Sequence, residues 1–479
     1  MPWLSPRRVP AVLVRYKARR VAHLLSGCVL TALAGCAIYR PQPLHPRPAA
    51  QNASALEVPA ARMPMPALRS HRFDPSNGLD VTETAMLAVV NNPRLRTLRD
   101  RLDIGRAQAF EAGLLPDPQL AASRDMLGNP NADVSSAYSL GLSYDLGPLL
   151  TRSARVASAR ASQRQIRLRL LWAEWQTIAH ARLLFDQVHA LRAQQHRLQR
   201  ELTALRGLDA SIQKALRSGD LDYAGASAGL DATAQVRNQL ADTSRQLDQA
   251  ESDLRGLLGL APDAPLRLTG PDWQPRPSAA QVAHAEKDLA RRRPDLLALK
   301  AGYAAQEARV RAAILGQFPD IQVGFNRARD TSNVHTHGFS IGLTLPLFDG
   351  NRGRIAVTRA TRQALADAYR ARLLATRNDV HRLVAALHTL RGQIDAAAEH
   401  AHRMDRAERS ATENWRSGAL DWPTWLAIRA SALQADLQMN RLRRQRAKAS
   451  IALETLLGGD WTDATTPDTP SPKTGNRSS

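Results

Sequence analysis

The sequence is poor in cysteine, in aromatic residues and in long apolar runs. Two cysteines in 479 residues, Cys28 and Cys36, exclude a disulfide-rich scaffold and any Cys-based zinc site. Aromatic residues make up 5%, while Ala, Leu, Arg and Gln abound, which argues against an all-β protein and for long helices. After Cys36 no apolar run reaches about 18 residues, so no transmembrane helix is expected. No Walker loop, dinucleotide fingerprint, nucleophile elbow or zinc-protease motif is present. The chain is therefore read as a non-enzyme, with no cofactor and no resident metal.

What is abundant is positive charge. The formal net charge is +21, from 65 Lys and Arg against 44 Asp and Glu. Arg7, Arg8, Arg15, Lys17, Arg19 and Arg20 stand near the start without an acid among them. Further on, Arg is scattered among Glu, Asp and Gln, with no dense basic block interleaved with aromatics. That pattern describes solvated helix faces and gives no support to nucleic acid as a partner.

The basic start is followed by an apolar run, Val21 to Leu33, which has the length of a signal-peptide core and is too short to span a bilayer. It ends in Leu33-Ala34-Gly35-Cys36, which resembles the lipobox of bacterial lipoproteins. The resemblance implies a signal peptide over 1–35 and an acylated Cys36 as first mature residue. Ala37 is not the Asp that usually retains such proteins at the inner membrane, so an outer-membrane location is expected. Residues 36–77, rich in Pro, Ala and Arg, read as an extended tether.

Self-comparison then shows a tandem duplication. Pro93 matches Pro294, Pro118 matches Pro319, and Ser139-Leu140-Gly141-Leu142 matches Ser340-Ile341-Gly342-Leu343, each at an offset of 201. Arg217-Ser218-Gly219 matches Arg416-Ser417-Gly418, Asp222 matches Asp421, and Leu257-Leu258-Gly259 matches Leu456-Leu457-Gly458, each at 199. The copies are read as 78–260 and 278–460, joined by a linker over 261–277 and followed by a disordered tail over 461–479.

Each copy has the same order. A helix begins at the first proline (Pro93 to Leu115; Pro294 to Gln317), and a proline closes it. Two segments with period-two alternation follow, at about 119–126 and 136–146, then 320–329 and 338–347. Gly128-Asn129-Pro130-Asn131 reads as the turn of the first pair, and the polar stretch 330–337 as that of the second. Ten-residue segments with one apolar face suit membrane β-strands. Helical hairpins follow at about 150–258 and 352–457. Leu184, Val188, Leu191, Gln195, Leu198, Leu202 and Leu205 form a heptad seam, as do Leu383, Leu387, Leu390, Ile394, Ala397, Ala401 and Met404. Residues 152–216 lack proline and predict a helix of about 95 Å. Four strands cannot close a membrane barrel, whereas three chains would supply twelve.

The duplication, Arg293-Pro294-Asp295-Leu296, Phe318-Pro319-Asp320-Ile321 and Leu345-Pro346-Leu347-Phe348-Asp349-Gly350 resemble the TolC-like outer-membrane efflux factors over about residues 78–460. The resemblance implies a mainly α fold with membrane β: a homotrimer whose 12-stranded barrel continues into an α-helical barrel across the periplasm. It further implies a passive exit duct joined by a periplasmic adaptor protein to an inner-membrane pump.

Carried over, the periplasmic aperture and docking tips fall on Arg217, Ser218, Gly219, Asp220 and Asp222, and on Trp415, Arg416, Ser417, Gly418, Asp421 and Thr424. Where the family often places carboxylates, six and nine residues after the second tip glycine, this chain has Thr424 and Ala427. The three Asp residues near the tips fit turn or cap chemistry better than ion selection.

Arg329-Asp330 and Phe348-Asp349-Gly350-Asn351-Arg352-Gly353 are similar to the cobalt–zinc–cadmium-resistance branch, which leaves metal ions beside organic compounds as cargo. His335 with His337, expected in a loop, and His400 with His402 read as solvated histidines. A lipid-anchored adaptor and a structural coiled-coil lipoprotein are the competing readings. The first would carry one hairpin before continuous β domains, and the second would not need four amphipathic strands.

Overall fold

The structure is a computed structural model that describes residues 39–44, 49–126, 135–271, 275 and 277–458. The signal segment, Cys36, the turn at 128–131 and the tail over 461–479 lie outside the described residues. The chain divides into two units, Met1–Pro48 and Ala49–Ser479. In the first, residues 39–44 carry no helix or strand. All elements named below belong to the second.

The first copy comprises α1 (Val81–Asn91), α2 (Pro93–Glu111), β1 (Gln119–Asp125), β2 (Ala137–Asp145), α3 (Gly147–Ser218) and α4 (Tyr223–Leu258). The second comprises α5 (Ala279–Lys287), a helical turn at Leu289–Arg292, α6 (Pro294–Leu315), β3 (Asp320–Arg329), β4 (His335–Thr344), α7 (Arg352–Arg416) and α8 (Trp422–Leu457). At 1.5 Å per residue, α3 is about 108 Å long and α7 about 98 Å. Neither has an internal proline; Pro148 sits in the first turn of α3, where its missing N–H costs nothing. No helix among the described residues is long and apolar enough to cross a membrane.

The four strands form one antiparallel sheet in the order β1-β2-β3-β4, so the two copies join through the β2–β3 pair. The strand β4 differs from its expected position. It begins at His335 and ends at Thr344, three residues earlier than the alternation suggested. Pro346 has no N–H to give a ladder, which stops the strand early. At its other end the turn is tight: Asp330 N–H donates to the Val334 carbonyl at 3.1 Å, and Asn333 takes a positive φ of 65°. His335, Thr336 and His337 are thereby drawn into the ladder.

The residue before each copy's first helix proline anchors the element. Asn92 caps α2 by accepting from Leu95 N–H and donates its amide to the Leu257 carbonyl at 2.9 Å. Its counterpart Arg293 donates to the Leu456 carbonyl at 3.1 Å and to both oxygens of Asp295 at 2.9 and 2.7 Å. Burial pushes the Asp295 carboxyl up, but Arg293 and Arg372 outweigh it and hold it below the ordinary carboxylate range. The Arg-Pro-Asp-Leu segment is thus a structural clasp between α6, α7 and the end of α8.

The expected tether and linker are in part core. Residues 49–77 hold short helical turns rather than an extended chain, and Met63, Met65 and Leu68 are buried with Leu184, Val188 and Leu254. From the linker, Ala261, Ala264 and Leu266 join the same cluster. Backbone bridges pair Ala50 with Leu260 and Leu79 with Leu268. The Ala- and Pro-rich composition of 49–77 hid its few large apolar side chains.

Three ion pairs tie the first copy's α3 to the second copy's α8: Arg182 with Glu454, Arg197 with Asp436, and Glu201 with Arg429. In the first, one guanidinium nitrogen donates to both carboxylate oxygens at 3.0 Å, and both side chains are 3% exposed. Breaking such a pair leaves a buried charge, which costs about 3–5 kcal/mol, whereas replacing both partners by apolar groups costs little. Glu454→Met should therefore lower the unfolding temperature of extracted protein strongly, while the Arg182→Met/Glu454→Met pair recovers most of the loss. Circular dichroism melts of the two variants check this.

Candidate functional site: the sheet faces and the hairpin tips

The strand register sorts the sheet into two chemically distinct faces. Directly paired residues share a face and successive residues alternate. One face carries the rows Leu120–Leu142–Phe325–Phe339 and Tyr144–Val323–Ile341, followed by Ile321–Leu343. These side chains are exposed or half-buried, with Phe339 89% exposed. The opposite face carries Ala121–Gly141–Asn326–Gly338, Ser123–Ser139–Ala328–Thr336 and Gln119–Ser143–Gly324–Ser340. It is small and polar, and among the described strand residues its only charges are the carboxylates Asp125, Asp145 and Asp320. An apolar outside and a polar inside are what a membrane barrel requires of its strands.

At the far end of the long helices, two turns reverse the chain. Gly219, at φ 77°, ends α3, and the N–H groups of Asp220 and Leu221 both donate to the Ala215 carbonyl. The Ser218 hydroxyl donates to the Asp220 carboxylate at 2.6 Å. In the second copy Gly418, at φ 78°, follows α7, and the N–H groups of Ala419 and Leu420 both donate to the Asn414 carbonyl. Asp421 caps α8 by accepting from Thr424 N–H at 2.9 Å. Hydrogen bonds from Thr424 hold the Asp421 carboxyl below its ordinary range. The cap is therefore charged above the ordinary carboxylate pKa and is lost as pH falls through the lowered value. Arg217, Ser218, Gly219, Asp220, Asp222, Arg416, Ser417, Gly418, Asp421 and Thr424 are all exposed.

Trp415 is half-buried and stacks on Trp425, with ring centroids 4.2 Å apart and planes inclined by 16°. The Trp425 indole N–H donates to Thr412 at 3.0 Å, and the Arg429 guanidinium lies over the Trp425 ring at 5.4 Å. Arg429 also grips Glu201 of α3 with two hydrogen bonds, at 2.6 and 2.9 Å, and Glu408 of α7 with a third, at 3.0 Å. One side chain of α8 thus clamps both long helices behind the tips. The two hairpins also meet where a Cβ on Gly229 would strike Ile212 and come within 3.1 Å of the Trp422 ring. Sequence reasoning found Trp415 but missed Trp425, Arg429, Glu201 and Glu408. The only signal was an aromatic and an arginine spaced four apart on one helix face.

Comparison with known proteins fits this architecture. Residues 287–459 match the family described as outer membrane efflux protein. The pyoverdine export outer membrane protein OpmQ of Pseudomonas putida is 28% identical over 415 residues, covering 78% of this chain and 84% of the relative. A crystal structure of CusC, described as undergoing transmembrane channel formation, superposes with a TM-score of 0.67 at 19% identity, over 87% of this chain and 99% of that one. VceC from Vibrio cholerae gives a TM-score of 0.65 at 18% identity, over 80% and 97%. In fold, and in sequence over most of its length, the chain is similar to the TolC-like outer-membrane efflux factors.

In a 12-stranded trimeric barrel of that fold, the apolar face of such a sheet turns outward to the membrane and the small polar face lines the lumen. The histidine pair expected in a loop, His335 and His337, lies in β4 on the outward face. His400 and His402 are exposed on α7. The one cluster of three metal-type groups among the described residues is His71, Asp80 and Glu83. Its carboxylates are already engaged in the capping box of α1, where Asp80 accepts from Glu83 N–H at 2.7 Å and Glu83 accepts from Asp80 N–H at 2.9 Å.

Two outcomes follow. An Arg at the bilayer midplane costs about 2–4 kcal/mol, whereas lumen positions tolerate charge. Phe325→Arg should therefore deplete trimers from the outer membrane, and Asn326→Arg, one residue on, should not; immunoblots of membrane fractions distinguish them. Hydrogen bonds to charged groups contribute about 1.5–3 kcal/mol each. Arg429→Ala should then speed amide hydrogen exchange at 217–223 and 416–422 by at least about tenfold while trimers persist. Arg429→Lys should not restore protection, because a lysine lacks the bidentate fork.

Proposed function

We propose that this protein is the exit duct of a tripartite efflux system, a passive channel whose periplasmic tips an adaptor and an inner-membrane pump engage and open. The observation that carries the reading is the pairing of a lumen-forming sheet with two long hairpins whose glycine turns are exposed at the opposite end. The tip residues from Arg217 to Asp222 and from Arg416 to Thr424 are the docking surface. The Arg429 clamp holds the resting packing of the tip helices, and adaptor contacts bias it toward a second packing. On this reading, export energy comes from the pump. Cys36 bears the lipid that adds a second attachment to the outer membrane.

The cargo we assign is organic. Relatives named for pyoverdine export support this choice, and the outward position of His335 and His337 removes the histidine pair from the lumen path. With Thr424 and Ala427 at the positions that carry acids in many relatives, and Asp421 committed to its cap, the aperture presents no built ring of free carboxylates for metal ions.

A deletion strain should become sensitive to dyes, detergents or antibiotics, with unchanged tolerance of divalent metals, and the wild-type gene should restore growth. Gly418→Trp, which places a bulky side chain at a left-handed position on the docking face, should form trimers yet fail to complement. Normal growth with that variant would sink the tip assignment, and a purely metal-sensitive deletion would overturn the organic cargo.

A further inference from the structure

The sheet sorts its charges as strictly as its apolar residues. All three arginines of the described strands, Arg124, Arg327 and Arg329, fall on the outward face, and all three carboxylates fall on the lumen face. The arginines are also confined to one end. Beyond the row Leu120–Leu142–Phe325–Phe339 comes Ala122–Leu140–Arg327–His337, then Arg124–Tyr138–Arg329–His335. These rows lie about 7 and 14 Å further along the strands, at the hairpin end remote from the helices. Just past the other end of β4 stand the exposed apolar side chains Leu345, Leu347 and Phe348 instead.

No acid in the described residues forms an ion pair with any of the three arginines, and Arg124, Arg327, His335 and His337 are exposed. Arg329 is held in place: it lies over the Tyr138 ring at 5.4 Å and donates to the Ser136 carbonyl at 2.7 Å. Its Nε is buried without a hydrogen-bond partner. Tyr138 in turn sits 6.4 Å from the His335 ring. Solvation alone does not account for three uncompensated guanidinium groups on the side of the wall that faces lipid, since the lumen face offered water to the same strands. Three chains would set nine such arginines around the rim.

We propose that this rim binds the phosphate groups of lipid headgroups in the outer leaflet of the outer membrane. The proposal rests on the reading of the apolar face as the lipid-facing wall. Guanidinium groups pair with phosphate oxygens through charge-assisted, often bidentate hydrogen bonds, and Arg329 fixes the level at which they meet the headgroups. The occupant is a phosphorylated lipid rather than a soluble anion, because the same side chains border the apolar rows on which acyl chains would lie.

The test uses detergent-extracted full-length trimers, wild type and Arg124→Gln/Arg327→Gln. Arg329 is left intact because it also supports the Ser136 carbonyl. Bisphosphorylated lipid A and its fully dephosphorylated form, with identical acyl chains, are titrated by native mass spectrometry, and the temperature of trimer dissociation is followed. The wild type should bind the phosphorylated form at least about tenfold more tightly and gain several degrees from it, with the preference weakening at high salt. The double variant should lose the preference for phosphate while keeping its trimers, and Arg124→Lys/Arg327→Lys should retain part of it. Equal binding of both lipid forms by the wild type, or an unchanged preference in the double variant, overturns the proposal alone. Failure of the wild type to yield membrane trimers overturns the barrel reading and this proposal with it.

Discussion

An unpaired strand edge cannot exist in hydrocarbon, and that prohibition governs the whole molecule. The sheet of four strands has two open edges, on β1 and β4, and neither is covered by any other part of the described chain. Within one chain the only remedy is more strands, and the duplication has already been spent on reaching four. Closure must come from other copies. A trimer like that of the channels this chain resembles meets the need, and with it comes the lumen: only when β1 of one protomer meets β4 of the next does the small polar face become the inside of a tube. The sorting of Ser, Gly, Ala and Asn from Leu, Phe, Ile and Val would have no purpose in a lone protomer.

The same duplication shapes the helical part, but the two copies meet their demands by different chemistry. Asn92 and Arg293 occupy matching positions and tie the start of one helix to matching carbonyls, Leu257 and Leu456. In the first copy the groove between the long helix and its return is filled by the chain's own Met63, Met65 and Leu68, together with Ala264 and Leu266. In the second, Arg293 is fully buried and reaches Asp295, with Trp172 beneath it at 4.7 Å. Both copies pack apolar side chains there, with Leu289, Leu296, Val380, Leu453 and Leu457 in the second, and the second adds a charge network. Divergence of this kind breaks the pseudo-symmetry without disturbing the shared frame, and the ion pairs from α3 to α8 join the two halves.

Much of this was legible in the sequence because it depends on short periods. The offset repeats exposed the duplication, period two exposed the strands, and heptads exposed the long helices. The exit-duct family was also within reach, since its motifs mark turns and helix starts. What escaped were features set by pairing over distance. The three-residue displacement of β4 depends on how tightly Asp330 and Val334 close the turn. The burial of 49–77 depends on a groove built by residues more than a hundred positions away. At the tips, glycine and aspartate announced themselves as turn formers, whereas Arg429 and its partners Glu201 and Glu408 belong to three different helices. Its four-residue spacing from Trp425 is the one local mark that sets that arginine apart, and it does not name the two glutamates.

The distribution of charge finally separates the two tasks of the duct. A net charge of +21 invites the idea of a basic, anion-attracting pore, yet the described strands place no arginine or lysine on the lumen face. That wall is made of hydroxyls, glycines, small apolar groups and a few carboxylates, so it offers a cargo molecule water and weak hydrogen bonds but no deep site. A conduit needs this: a residence site in the barrel would slow exit, and no energy source lies nearby to release what was bound. On the proposed reading, selectivity belongs upstream, with the pump and with the tips, where Arg429 holds three helices together through side chains that are mostly shielded from water. On the proposed reading this clamp suits a gate, because its release would take the contacts that a docked partner supplies.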